Sequence, residues 1–273
     1  MLRFSISPRE MIASFWRNRS LIYTLTKREV IGRYRGSLLG MAWSFFNPVL
    51  MLLIYTFVFS VIFKSRWGSG GEESQTEFAI VLFVGMIVHG LFSECLNRAP
   101  GLILSNVNYV KKVIFPLEIL PWVALSSALF HSSISLIVLL AAQLLLSQQI
   151  MWTALLFPLI LLPLVFATMG CAWFLAGLGV YVRDIGQITG MVTTILMFLS
   201  PVFYPVSALP DQYQIWLQIN PLTFIIEEGR NTLIFGKVPD IRQWTLMGTA
   251  GLIIAWTGFV WFQKTRKGFA DVL

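Results

Sequence analysis

Three ionisable side chains lie within apolar sequence: His89 and Glu94 in one stretch and His131 in another. Such groups are costly inside a membrane span and often mark proton relays or ion paths. The same residues can instead pack between helices, and Glu94 can reach water if it sits near a span end. Both roles stay open on sequence alone. Metal chemistry finds little support, because the two histidines fall in different apolar stretches and no H-E-x-x-H occurs. No G-x-S-x-G nucleophile turn is present. No G-x-x-x-x-G-K-[ST] run is present either: GRYRGS and GSGGEES contain glycine but lack the lysine and its following helix. Cys95 and Cys171 both fall in apolar segments, where thiols act mainly as packing residues. The expectation is no catalytic residue, no metal and no cofactor in this chain.

Aromatic residues offer another kind of chemistry. Trp43 and Phe46 lie one helical turn apart, as do Tyr55 and Phe59, while Phe198, Phe203 and Tyr204 cluster in a later stretch. Aromatic faces stack on sugar rings through apolar contact with few fixed hydrogen bonds, so a polymer can slide over them. A lipid-facing or packing stripe has the same spacing. Arg183 and Asp184 follow a long uncharged block. They are either an ordinary loop pair or a docking point for a cytoplasmic partner.

The elements that position these residues are apolar helices. The 273 residues are 56% hydrophobic and only 12% charged, against about 25% charged in soluble chains. Between Glu118 and Arg183 no residue carries a formal charge. As helix, that block would be roughly three times the hydrocarbon thickness, so it must fold back in the membrane. The pattern predicts an all-α integral membrane protein of six spans: about Leu38 to Phe63, Phe78 to Asn97, Ile119 to Leu146, Met151 to Val180, Ile185 to Val206 and Trp244 to Phe262. Residues 38–263 form the membrane domain. Residues 1–37 are basic with apolar residues at helical spacing, which predicts an amphipathic helix in the cytoplasmic headgroup layer. They hold no unbroken apolar h-region, so a cleavable signal peptide is not expected. Residues 98–118 read as a half-apolar surface loop and residues 207–242 as a short re-entrant or interfacial element. Residues 264–273 form a tail.

Charge placement sets the orientation. Fifteen of the twenty Lys and Arg fall on the side shared by both termini: eight before residue 38, then Arg98, Lys111, Lys112, Arg183, Lys264, Arg266 and Lys267. That bias predicts both ends in the cytoplasm. It also accounts for the net charge of +7 without nucleic-acid binding. Glycines at Gly32, Gly36, Gly40 and at Gly186, Gly190 have the small-xxx-small spacing of close helix pairs. No internal repeat is evident, so an inverted-repeat carrier gains no support.

Several segments, in order, carry a resemblance. KREVIGRYRGSLLGMAWSFFNPVL (Lys27 to Leu50) resembles the entry to span one of ABC-2 type permeases, and most of all the exporters of O-antigen, capsule and teichoic acid. KKVIFPLEILP (Lys111 to Pro121), RDI (Arg183 to Ile185), SPVFYP (Ser200 to Pro205) and NPLT (Asn220 to Thr223) follow in matching order, so the resemblance spans nearly the whole chain. It implies a homodimer in the bacterial inner membrane, joined to two copies of a separate ABC ATPase that holds ATP and magnesium. It implies a coupling helix near Arg98 to Asn108, with Arg98, Ile103, Ser105, Asn108, Arg183 and Asp184 as ATPase-coupling contacts. It implies an outer gate near Asp211 to Phe235, with Trp216, Asn220, Pro221 and Phe224 on it. A lipid-linked glycan, O-antigen favoured, would thread a channel between protomers along Trp43, Phe46, Tyr55, Phe59, Phe198 and Tyr204. Three alternatives remain: an ABC-2 exporter of a small drug or lipid, a membrane enzyme acting on lipid-linked sugars through His89, Glu94 and His131, and a proton-coupled carrier.

Overall fold

The computed structural model describes residues 5–62, 75–111 and 115–273. All regular structure among them is helical. Two amphipathic helices, α1 (Pro8–Arg17) and α2 (Arg19–Arg33), precede α3 (Trp43–Tyr55), which continues as a wider π turn over Thr56–Ile62. Then follow α4 (Gln75–Arg98), α5 (Val107–Lys111), α6 (Leu120–Ser147), α7 (Phe157–Tyr181), α8 (Ile185–Leu199), α9 (Asp211–Ile219), α10 (Pro221–Leu233), α11 (Ile241–Thr265) and α12 (Phe269–Val272). The glycine-rich loop after span one lies mostly outside the described residues, as does Lys112.

Local chemistry sets these ends. Ser7 caps α1 by accepting the Glu10 amide at 3.3 Å, with Pro8 at the first helical position, where its missing N–H costs nothing. Asp240 caps α11 in the same way, accepting the Arg242 amide at 2.8 Å. The single basic helix expected at the N-terminus is two helices. The break falls at Asn18, whose backbone is non-helical and whose Nδ2 donates to the Ser14 carbonyl at 2.8 Å.

Five apolar stretches are long enough to cross a membrane: Gly40–Phe59, Phe78–Gly101, Leu117–Leu146, Trp152–Tyr181 and Ile241–Val272. Helix α8 is apolar but has 15 residues. At about 1.5 Å per residue it reaches roughly 22 Å, short of a hydrocarbon core of about 30 Å. It stops at Leu199 instead of running to Val206 because Pro201 and Pro205 cannot continue a helix and Ser200 turns to extended backbone.

Helix α4 is the central one: 78% of its apolar window is buried, against 11% for the Gly40–Phe59 span. The tightest helix pair is α7 with α11. A Cβ at Gly258 would fall 2.0 Å from the Gly170 carbonyl oxygen, and one at Gly170 would fall 2.2 Å from that of Ile254. Backbones meet there only because both residues lack a Cβ. The glycines picked for their spacing do not do this. Gly32, Gly36, Gly40 and Gly190 have nothing within 4 Å of where a Cβ would be, and Gly186 only a proline side chain at 3.9 Å. Spacing reports a helix face, but it does not say whether a neighbour lies on it.

Candidate functional site

At one end of the bundle, α9 and α10 form a bent pair hinged at Asn220. Asn220 accepts the Leu222 amide at 3.0 Å, so it caps α10, and its Nδ2 donates to Ser200 Oγ at 2.9 Å. Pro221 opens α10, Phe224 packs into the bundle core, and Trp216 falls on α9. The pair is anchored by Arg230, which is 1% exposed. Its Nε donates to the Val81 carbonyl at 3.1 Å, its Nη2 to that of Val202 at 2.9 Å and its Nη1 to Glu227 Oε1 at 2.8 Å. One guanidinium thus ties α10 to the start of α4 and to the SPVFYP segment. Burial pulls it down to about 10, with Glu227 opposing, so it remains a cation at neutral pH. Arg230 was not among the residues singled out from sequence. An arginine three residues after Glu227, one helical turn on, was the available signal.

The SPVFYP segment also gathers aromatic rings. Phe203 stacks on Phe59 with centroids 6.1 Å apart and meets Phe198 at 5.7 Å, while Phe59 meets Phe78 at 5.5 Å. Tyr204 folds back to donate its hydroxyl to the Phe198 carbonyl at 2.9 Å. Of the six aromatic residues proposed for a channel, the fold therefore unites Phe59, Phe198 and Tyr204 around Phe203. Tyr55 is half-buried on the same span. Trp43 and Phe46 lie nearer its other end, 40% and 45% exposed. With Phe57 and Leu53 they leave one face of α3 uncovered, and Met191, Ile195 and Phe198 do the same on α8. In a soluble protein such faces would mark an interface; in a membrane they meet lipid, a second copy or a channel.

At the opposite end, the N-terminal helices, the loop after α4 and the chain's C-terminal end converge. Glu118, 6% exposed, accepts from Ser14 Oγ at 3.0 Å and from Arg266 Nη1 at 2.5 Å. Its own carbonyl accepts from Trp173 Nε1 at 3.0 Å, and Arg266 Nη2 donates to the Phe115 carbonyl at 2.8 Å. Glu118, just before α6, therefore joins α1 and the residue after α11 through its carboxylate and α7 through its backbone carbonyl. Arg98 pairs with Glu29 of α2 and stands 3.8 Å from Glu94. Ser105 and Asn108 are exposed, as a docking surface requires. Ile103 is fully buried in the core, so it supports the loop from beneath. Arg183 and Asp184 are exposed in the turn between α7 and α8 and form no ion pair among the described residues. The end of α7, just before that turn, lies against the same loop: a Cβ at Gly179 would fall 2.3 Å from the Pro100 carbonyl oxygen.

The ionisable residues within the spans find partners. His89 is buried, and its Nε2 lies 3.0 Å from the Thr193 carbonyl of α8; a carbonyl only accepts, so Nε2 carries the proton. His89 is a helix-packing contact. Glu94 pairs with Arg33 at 2.6 Å, and His131 Nδ1 lies 3.4 Å from the Tyr34 hydroxyl. Glu94 and His131 share a polar cavity of about 180 Å³ with Arg33, Asn47 and Ser135. That space suits a few waters and is smaller than the roughly 300 Å³ at which ligand pockets begin. Among the described residues no cluster of ligands could hold a metal.

The chain resembles known proteins along its length. It is 26% identical over 263 residues to the O-antigen export system permease protein RfbA of Myxococcus xanthus, covering 96% of this chain and 98% of that protein. It is 26% identical over 268 residues to the capsule polysaccharide export inner-membrane protein CtrC of Neisseria meningitidis serogroup B, covering 93% and 96%. To the polysialic acid transport protein KpsM of Escherichia coli it is 22% identical over 258 residues, covering 90% and 93%. The ABC-2 type transporter profile matches residues 20–234, from the middle of the N-terminal helices to the end of α10, and this multi-pass membrane chain belongs to that family.

Proposed function

We propose that this chain is the inner-membrane permease of an ATP-driven exporter of a lipid-linked surface polysaccharide, with O-antigen the favoured cargo. The carrying observation is likeness over nearly the full length of both chains to an O-antigen export permease. Capsule export is the second reading, favoured by the likeness to two capsule-type transport proteins. In this proposal the chain crosses the membrane six times, with α8 and the turns after it as the fifth crossing and both ends in the cytoplasm. It works as a homodimer with two copies of an ABC ATPase carrying ATP and magnesium. The uncovered faces of α3 and α8 meet the second copy or the glycan, and Trp43, Phe46, Tyr55, Phe59, Phe198 and Tyr204 supply the sliding surface. The loop with Arg98, Ser105 and Asn108, together with Arg183 and Asp184, receives the motor, Ile103 bracing it from within. The α9–α10 pair, with Trp216, Asn220, Pro221 and Phe224, gates the outer mouth.

Deleting the gene in the native host tests the reading. Surface glycan should disappear while lipid-linked glycan accumulates inside, and mild-detergent purification should retain a P-loop ATPase in stoichiometric amount. Normal surface glycan in the deletion strain would sink the proposal.

A further inference from the structure

The basic residues around α2 divide by partner. Toward the bundle, Arg33 meets Glu94 at 2.6 Å, Arg98 reaches Glu29, and in α1 Arg17 meets Glu10 at 2.6 Å. On the other side, Lys27, Arg28 and Arg35 are exposed and line a groove of about 800 Å³ between α2 and the approach to α3. No acidic residue lines this groove. Lys27 and Arg35 form no ion pair among the described residues, and Arg28 has only the Tyr109 hydroxyl at 3.4 Å.

The backbone keeps the groove open. Gly36 and Gly40 have φ of 86° and 51°, left-handed values that favour glycine, and neither has an atom within 4 Å of where a Cβ would be. Beside the cations, Ile31 and Met41 are exposed and line the same groove, and Leu38 is fully exposed next to it. Three cations without a carboxylate set against bare hydrocarbon form the complement of an anionic amphiphile. Arginine forks match phosphoryl oxygens in a bidentate geometry, and lysine binds them as a point charge. Basic residues just cytoplasmic of a span attract anionic headgroups.

We propose that this groove binds the phosphoryl group of an anionic amphiphile in the cytoplasmic headgroup layer, with its first hydrocarbon units against Ile31 and Met41. The phosphoryl group can come from a bulk anionic phospholipid or from the lipid carrier of the exported glycan. The inference rests on the inward placement of the N-terminus in the exporter reading. Its test measures binding alone, so its failure leaves the export reading standing.

The test is a titration followed by native mass spectrometry on the full chain, purified with any subunit that accompanies it. Probes are phosphatidylglycerol, undecaprenyl phosphate, phosphatidylcholine and inorganic phosphate. Both anionic lipids should bind, and phosphatidylcholine should bind much more weakly. Replacing Lys27→Gln and Arg35→Gln together should weaken anionic binding about thirtyfold, taking each headgroup-level cation at its usual worth. The exchange Lys27→Arg with Arg35→Lys should retain binding, as should the distant charge control Lys237→Gln with Arg242→Gln. Tighter binding of undecaprenyl phosphate identifies the carrier lipid as the source, equal binding identifies bulk lipid, and displacement by inorganic phosphate shows that the phosphoryl group suffices. Binding unchanged in the glutamine double variant, or phosphatidylcholine as tight as the anionic lipids, overturns the proposal.

Discussion

Replacing Arg230→Met should detach the α9–α10 pair from the bundle. The guanidinium donates to Val81, Val202 and Glu227 from a site 1% exposed. A hydrogen bond from a charged group contributes about 1.5–3 kcal/mol, so three such bonds bring a gross gain of roughly 4–9 kcal/mol. Desolvating the cation offsets part of this. Removing one partner of a buried charged set nets about 3–5 kcal/mol of destabilisation, because the Val81 and Val202 carbonyls left behind are buried. That corresponds to a hundredfold or more in the equilibrium. The loss should be local first. In the purified chain, hydrogen exchange should accelerate at 200–205 and 221–233, while the α7–α11 pair keeps its protection. Denaturation in mild detergent should show the full loss. Arg230→Lys keeps the charge but loses the planar fork and should fall between parent and Met variant. A Met variant within about 0.5 kcal/mol of the parent, with unchanged exchange at both segments, would refute the anchoring role.

Other outcomes follow from the same structure. Glu118→Gln and Arg266→Gln should each destabilise by about 3 kcal/mol and couple strongly in a double-mutant cycle, since the pair is mostly buried and also holds Ser14; additive losses would contradict the junction. Gly258→Leu should cost at least about 3 kcal/mol by forcing α7 and α11 apart, while Gly190→Leu on α8 should stay within about 0.5 kcal/mol; size-exclusion profiles after heating distinguish the two. Trp173→Ala, at the centre of the core, should cost about 3–5 kcal/mol in detergent denaturation. Alanine at Trp43 and Phe46 together should leave thermal stability close to the parent, because both rings are largely exposed, yet reduce surface glycan; unchanged glycan would remove these rings from the channel. Ser105→Trp with Asn108→Trp should leave the fold intact and lower ATPase retention on purification, since both positions face outward.

The placement of the apolar stretches was legible in the sequence because lipid imposes a one-dimensional rule: a span needs a fixed length of uncharged residues. The charge gap from Glu118 to Arg183 therefore located α6 and α7. The order of short motifs also placed the family, which the profile match bears out. Pairings across the bundle were not legible. Glycine spacing pointed to Gly186 and Gly190, yet the backbones meet at Gly170 and Gly258, because spacing defines a face and only packing supplies the neighbour. The same limit hid Arg230 and Glu118. Apart from Glu227, the side-chain partners of both lie 28 to 149 residues away. Even α8 ended where its prolines required, short of the expected span. The sequence by itself thus determined which segments are apolar enough to cross a membrane, since that depends on each segment's own solvation. Tertiary structure alone decided which charges are anchors and which form no ion pair among the described residues, since that depends on partners distant in the chain.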